Sequence, residues 1–364
     1  MVQVRRSGRT RALVGSAACW LACSRPEAPA QPVVAEVAEE DVPEVMVEKT
    51  WLKGQLHLHT SNSGDSETPA AAALRWYETH GFDFAVVTDH NFVTAPERAG
   101  RMLVAPGIEL TQNVEQCEPP PEPGLSCLLH VNALFVAESR AGRFSFPPAS
   151  SPRRDELFAR ALRASEELEG VAMLNHPNFH YAADAGLLTT LSASGLRLFE
   201  LANEAIDSNN AGDAKHPSTE ALWDAALTNG ARLFAVATDD AHHYDDAPAV
   251  TARGETAYTG DRGFVVVHAT RDVPAIRAAL LAGEFYASTG LLLNSVSRED
   301  GALTVEAAQA GVTIEFVGAG GEVLRTAPGP RATMTLAETP GPYLRARVRG
   351  ADGRKAWTQP IWRE

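Results

Sequence analysis

Short apolar runs alternate with longer amphipathic stretches from Trp51 to about residue 290, and this alternation is the main structural signal in the chain. Strands are expected over 52–59, 84–90, 102–110, 128–136, 171–176, 196–201 and 233–239. Ala-rich amphipathic helices are expected near 69–80, 152–169 and 217–229, with a further helix near 273–282. Pro69 and Pro217 suit the first turn of a helix, where a missing N–H costs little. Strand and helix in alternation imply parallel strands with crossover helices, hence a βα barrel or a doubly wound sheet. After Leu293 the pattern changes to short alternating runs, such as 303–306, 312–317 and 344–348, separated by Gly, Pro and Asp turns. That reads as a small antiparallel β domain.

Polar residues decide between barrel and open sheet. His57, His59, Asp89, His90, Glu109, His130, His176, Glu200, Asp239, Asp240 and His242 all fall in or just after the expected strands. In a closed βα barrel the strand ends converge on one mouth, whereas an open sheet gathers ligands only near its switch point. So many strands carrying a ligand-type residue favour a closed barrel. Within Gln55-Leu56-His57-Leu58-His59-Thr60 the two histidines are one residue apart, so on an extended strand they face the same way. Imidazole is the commonest metal ligand in proteins, and two on one face can share an ion.

Composition narrows the setting. At 364 residues the chain can bury a large core, and a formal net charge of −14 argues against a general nucleic-acid binder. Arg5, Arg6, Arg9 and Arg11 precede a short apolar run from Ala12 to Cys23, the layout of an export signal over 1–25. Leu21-Ala22-Cys23-Ser24 resembles a bacterial lipoprotein cleavage box with Cys23 lipidated, and Ala17-Ala18-Cys19 is a second candidate. The expected location is therefore the periplasm or outer membrane, with membrane contact only through a lipid anchor. The Pro, Ala and Glu-rich segment 26–48 reads as a flexible linker. Cys117 and Cys127 flank a Pro-rich loop. An export route makes a disulfide between them plausible, with free thiols as the rival.

His57-x-His59, Asp65, Thr88-Asp89-His90, Glu109, His130, Asn175-His176-Pro177 and Asp240-Ala241-His242, taken in order, resemble the polymerase-and-histidinol-phosphatase (PHP) superfamily of metallohydrolases. Further segments resemble its carbaryl-hydrolase-related CehA/McbA branch: Ser63-Gly64-Asp65-Ser66, Thr238 to His243, Gly283 to Gly290 and Ala356 to Pro360. The resemblance covers 54–293 and extends loosely into the C-terminal region. It implies an α/β fold, a distorted seven-stranded (β/α)7 barrel over 49–293 with a small C-terminal β domain over 294–364. It also implies two or three divalent ions, Mn, Fe or Zn. The first would take His57, His59, Glu109 and Asp240. The second would share Glu109 and take His130 and His176, and the third would take Asp65, His90 and His242. Some superfamily members have a histidine where Asp65 stands, and the extra carboxylate favours harder ions.

Such a cluster lowers the pKa of a bound water and polarises a P=O or C=O bond, so phosphoester hydrolysis by a metal-bridging hydroxide is the expected activity. Hydrolysis of a carbamate, ester or amide on the same metals is the alternative, and a non-catalytic tethered binding protein is the other class. No Gly-x-Ser-x-Gly elbow is present. Asp89 and Asp239 are expected to orient histidines by accepting their second N–H, and Asp239 or His243 to move a proton to the leaving group. His180 is a candidate substrate contact, and Glu200 and Asn203 are candidates to line the pocket. His80, His216 and His268 read as structural or solvent-facing, and Arg253 and Arg262 as partners of nearby acids.

Overall fold

The computed structural model describes residues 48–95 and 100–363. The export signal, Cys23 and the linker up to residue 47 lie outside the described residues.

The fold is mixed α/β, built on one large sheet with six α-helices on it. Leaving aside the two-residue strands Phe92–Val93 and Gly142–Arg143, which pair with each other, the first nine strands are β1 (Thr50–Gln55), β2 (Phe84–Val87), β3 (Leu103–Val114), β4 (Cys127–Leu134), β5 (Val171–Leu174), β6 (Leu198–Asn203), β7 (Phe234–Thr238), β8 (Phe264–Ala269) and β9 (Phe285–Ser288). The helices are α1 (Ala70–Thr79), α2 (Arg154–Glu167), α3 (Ala185–Ala193), α4 (Thr219–Thr228), α5 (Ala247–Ala252) and α6 (Val273–Ala282). Seven longer strands follow, with the two-residue strand Ile361–Trp362 after them: β10 (Leu293–Glu299), β11 (Ala302–Ala307), β12 (Thr313–Val317), β13 (Val323–Pro328), β14 (Arg331–Thr335), β15 (Tyr343–Arg349) and β16 (Lys355–Thr358).

Along the large sheet the order is β13-β12-β15-β16-β9-β8-β1-β2-β3-β4-β5-β6-β7. Strands β1, β2 and β3 pair in parallel, as do β5, β6 and β7. The expectation of parallel pairing fails in the middle, where β3–β4 and β4–β5 are antiparallel. The reason lies between residues 114 and 127, where a Pro-rich loop closed by a Cys117–Cys127 disulfide replaces a helix. A connection without a crossover returns the chain as a hairpin. No ladder joins β7 back to β1. The segments just beyond them meet in one parallel bridge, Leu58 with Ala241.

Residues 294–364 are antiparallel strands, as the alternation predicts, but most of them extend the main sheet. β16 pairs with β9, and β15 and β12 continue outward. Only β10, β11 and β14 form a separate three-stranded sheet. The described residues accordingly form one compact unit.

Local sequence explains the helices. Ser218 and Asp272 cap α4 and α6 by accepting from Ala221 N and Ala275 N, and Gly283 ends α6 at φ 70°. A Cβ at Gly283 would also lie 2.5 Å from the Phe234 ring, so the turn and the packing both require glycine. Helix α3 escapes the pattern reading because Gly186 and a Thr189-Thr190 pair weaken its propensity. Burial of Leu188 and Leu191 and the Asp184 cap, which accepts from Leu187 N, hold it in place.

Candidate metal centre

The histidine pair sits just past the end of β1 rather than within it, because β1 stops at Gln55. The chain there is tied to the turn after β7. His59 N donates to Ala241 O at 2.9 Å and Asp240 N donates to His57 O at 3.1 Å. Asp240 takes φ 53°, a left-handed turn that aspartate tolerates better than most residues and that lets Asp240 and His242 point toward the pair.

All nine residues predicted as ligands come together in three groups able to hold a metal ion. These are His57, His59 and Asp240; Glu109, His130 and His176; and His59, Asp65, His90 and His242. His59 thus belongs to two groups, where the sequence reading gave it to one. His57 Nε2 and His59 Nε2 stand 3.1 Å apart, with Asp240 Oδ1 at 3.2 and 3.0 Å from them. Two nitrogens at that spacing fit one ion with ligand bonds of about 2.1 Å. Glu109 is the hub. Its Oε1 lies 3.0 Å from His130 Nδ1 and 3.5 Å from His176 Nε2, and its Oε2 lies 2.6 Å from His90 Nδ1 and 3.5 Å from His59 Nε2. Asp65 Oδ2 reaches His90 Nε2 at 3.0 Å and His242 Nε2 at 3.3 Å.

The second nitrogen of each of five imidazoles is anchored. His57 Nδ1 donates to Glu200 Oε1 at 2.6 Å, His59 Nδ1 meets Ser63 Oγ at 2.8 Å, and His90 Nδ1 meets Thr111 Oγ1 at 2.6 Å. His242 Nδ1 donates to the Asp240 carbonyl at 2.9 Å. His130 is reversed: Nε2 donates to Asn113 Oδ1 at 2.9 Å and leaves Nδ1 for the centre. Fixing one nitrogen sets the tautomer and aims the lone pair of the other.

Electrostatically the site is under tension without added cations. Glu109 and Asp240 are buried, which would raise a carboxyl pKa, yet the surrounding histidines hold both well below the usual carboxylate range. Burial and the adjacent His242 push His59 down to about 3. His90, despite burial, is pushed up to about 11 by Glu109 and Asp65. Glu109 Oε2 and His130 Nδ1 are buried with no hydrogen bond. Unsatisfied buried acceptors next to lone-pair nitrogens are what a metal ion would complete, and the donor set of imidazole and carboxylate suits Mn, Fe or Zn.

A cavity of about 300 Å³ opens over these groups, lined also by Leu128, Phe179, Asp207, His243 and Tyr258. His243 Nδ1 accepts from Tyr258 N at 3.1 Å, so the neutral ring carries its proton on Nε2. No arginine or lysine lines the cavity among the described residues.

Other expectations are placed differently. Asp239 does not face the centre. It accepts from Gln55 Nε2, Tyr77 OH and the backbone N–H groups of Asp261, Arg262 and Gly263, so its oxygens are occupied in bracing that turn. Burial raises its pKa to about 6. Asp89 is likewise taken up by Thr60 and Thr94 and orients no histidine. The orienting carboxylate is Glu200, which also accepts from His176 N at 2.7 Å and Asn203 Nδ2 at 2.9 Å. His180 does not line the cavity. Its Nδ1 accepts from Ser126 N at 2.8 Å and pins the disulfide-closed loop. His80 stacks on Trp76, His216 on Tyr181, and His268 packs by Trp51. Arg253 pairs with Glu255 and Arg262 approaches Glu204. Sequence reasoning assigned no role to Asn113, Asn175, Asp207 or Tyr258. Asn175 Nδ2 donates to Glu109 Oε1 at 2.8 Å, and its place beside His176 was the one available signal.

No protein-family model matches the chain, and no curated protein is detectably similar to it in sequence.

Proposed function

We propose that the chain is a metal-dependent phosphoesterase of the PHP superfamily type, working at the strand ends of a distorted seven-stranded βα barrel. One observation carries this reading: nine His, Asp and Glu side chains from several strands and the turns that follow them form three contiguous metal-capable groups under one cavity. The parallel bridge between Leu58 and Ala241, beyond β1 and β7, supports the barrel description.

Divalent ions held there supply Lewis acidity toward a P=O or C=O bond and lower the pKa of a water. The chain's own residues do the rest. Glu109 presents one oxygen to the His130 and His176 side and the other to the His90 side, so it can serve two neighbouring sites while its charge reduces repulsion between cations. Glu200, Ser63, Thr111, Asn113 and the Asp240 carbonyl keep five imidazoles in the ligating tautomer. Phe179 and Leu128 exclude water from one side of the cavity. His243, whose neutral ring carries its proton on Nε2, would offer that N–H as a hydrogen-bond donor to a leaving-group oxygen in the cavity. Three dications, though not two, would outweigh the three ligand carboxylates together with Glu200 and Asp207, and a net positive site suits an anionic substrate.

A second reading, hydrolysis of a carbamate or ester, is favoured by the apolar flank and by the lack of arginine or lysine in the described wall. Turnover of a phosphodiester, a phosphomonoester and an aryl carbamate by the metal-loaded protein, beside a His57→Ala/His59→Ala control, separates the two. Phosphoester turnover lost in the control supports the proposal. Carbamate turnover alone would replace it with the second reading, and no turnover of any of the three would overturn the assignment as a hydrolase of these bonds.

A further inference from the structure

At the opposite ends of β5 and β6 from the metal centre lies a larger cleft, of about 480 Å³. Gly170 and Val171 open onto it where β5 begins, and Arg197 stands just before β6. Arg163 reaches in from α2 and Arg277 from α6. In a chain with a net charge of −14, three guanidinium groups gathered in one concavity are conspicuous. Among the described residues none of the three forms an ion pair, although Glu166 lines the same cleft, and Arg197 donates only to the carbonyls of Ser192 and Leu196. Ser165 also lines the cleft. It is 1% exposed, and its Oγ has no hydrogen-bond partner. Buried hydroxyls are normally bonded, so an unpartnered one in a cleft whose guanidinium groups form no ion pair points to a missing partner. Leu162 and the exposed Leu281 add an apolar wall.

We propose that this cleft is a second ligand site, which takes a small molecule carrying a phosphoryl group and an apolar body. Guanidinium forks match phosphate oxygens in pairs, and three of them with a serine hydroxyl offer more donors than a carboxylate can use. The volume is within the range of small-molecule sites. The phosphoryl group sits among Arg163, Arg197, Arg277 and Ser165, and the apolar body lies along Leu162 and Leu281.

Isothermal titration of the full chain with phenylphosphonate, whose P–C bond resists hydrolysis, tests the site. Arg163→Ala/Arg277→Ala should weaken binding by about tenfold or more, and His130→Ala, in the metal centre, should leave that binding event in place. Arg163→Lys/Arg277→Lys, which keeps charge but loses the fork, should give an intermediate loss and shows that a folded chain was read. An isotherm unchanged by either arginine pair, or binding abolished by His130→Ala alone, would overturn the proposal. Co-sedimentation with phosphatidylglycerol vesicles identifies the source of the phosphoryl group. Binding lost in the alanine pair supports a lipid headgroup, and no sedimentation of the wild type supports a soluble ligand.

Discussion

Two buried clusters of charge in this chain are finished in different ways. Where the C-terminal strands meet α4, Arg345 is fully buried and donates to Asp224 at 2.8 and 2.6 Å and to Glu220 at 2.9 Å. Arg347 meets Glu220 at 2.8 Å and Glu315 at 2.6 Å, and Tyr343 OH donates to Asp224 at 2.8 Å. Only Arg345 Nη1 lacks an acceptor, and that guanidinium lies over the Trp223 ring. Cation and anion alternate, so the charge closes on itself and ties β15 to α4. At the metal centre, three carboxylates face six imidazoles, with Glu109 Oε2 and His130 Nδ1 unbonded. That cluster leaves buried ligand atoms unbonded. A closed cluster holds elements together, whereas an open one keeps ligand atoms that could take an ion.

The largest effect is expected at the hub. Glu109→Gln removes the charge shared by the groups, and hydrolysis should fall on the order of 10³-fold with a loss of bound metal seen by elemental analysis. Global stability should change little by comparison. The converse substitution, Asp224→Ala, strands a buried arginine and should cost about 3–5 kcal/mol in a urea titration. Folded Asp224→Ala protein should keep its metal content. If it loses metal instead, the two clusters are not independent.

A smaller effect sharpens the account of the imidazole anchors. Glu200→Gln keeps the shape but weakens the acceptor on His57 Nδ1, and metal affinity should drop by about 10–100-fold, measured by competition with a chelator. The corresponding Asp239→Asn change should leave metal affinity as it was, because Asp239 braces the 261–263 turn.

The smallest effect is on pH dependence. Burial disfavours charge on Glu220, but Arg345 and Arg347 hold its pKa below the ordinary value. A carboxylate lowered in the folded state contributes stability above its unfolded pKa, near 4.3, and that contribution is lost as pH falls through the folded value. The stability gap between wild type and Glu220→Gln should therefore narrow as pH drops below about 4, followed by denaturation at a series of pH values.

The ligand residues were legible because they are polar side chains at the ends of apolar runs, a pattern visible without coordinates. Mixed α/β architecture followed from the same runs. The antiparallel turn of β3 into β4 was not legible, since a Pro-rich loop of that length can join strands of either sense until the pairing is seen. Nor was the exchange of roles among carboxylates. Asp89 and Asp239 are adjacent in sequence to ligands, but each lies past the end of its strand and turns away, toward Thr60 in one case and Gln55 in the other. Glu200 reaches His57 across two strands that are far apart in the chain, a contact no local spacing encodes. The C-terminal strands looked like a separate domain because their turns are dense. Their hydrogen bonds to β9 place them on the main sheet.

The open cluster of imidazoles and carboxylates is expected to hold metal. The direct measurement is elemental analysis of the purified, folded protein after incubation with Mn, Fe and Zn and removal of excess ion. The three groups predict up to three ions per chain, falling sharply in His57→Ala/His59→Ala. A folded wild-type protein that retains none of the three metals would contradict the account.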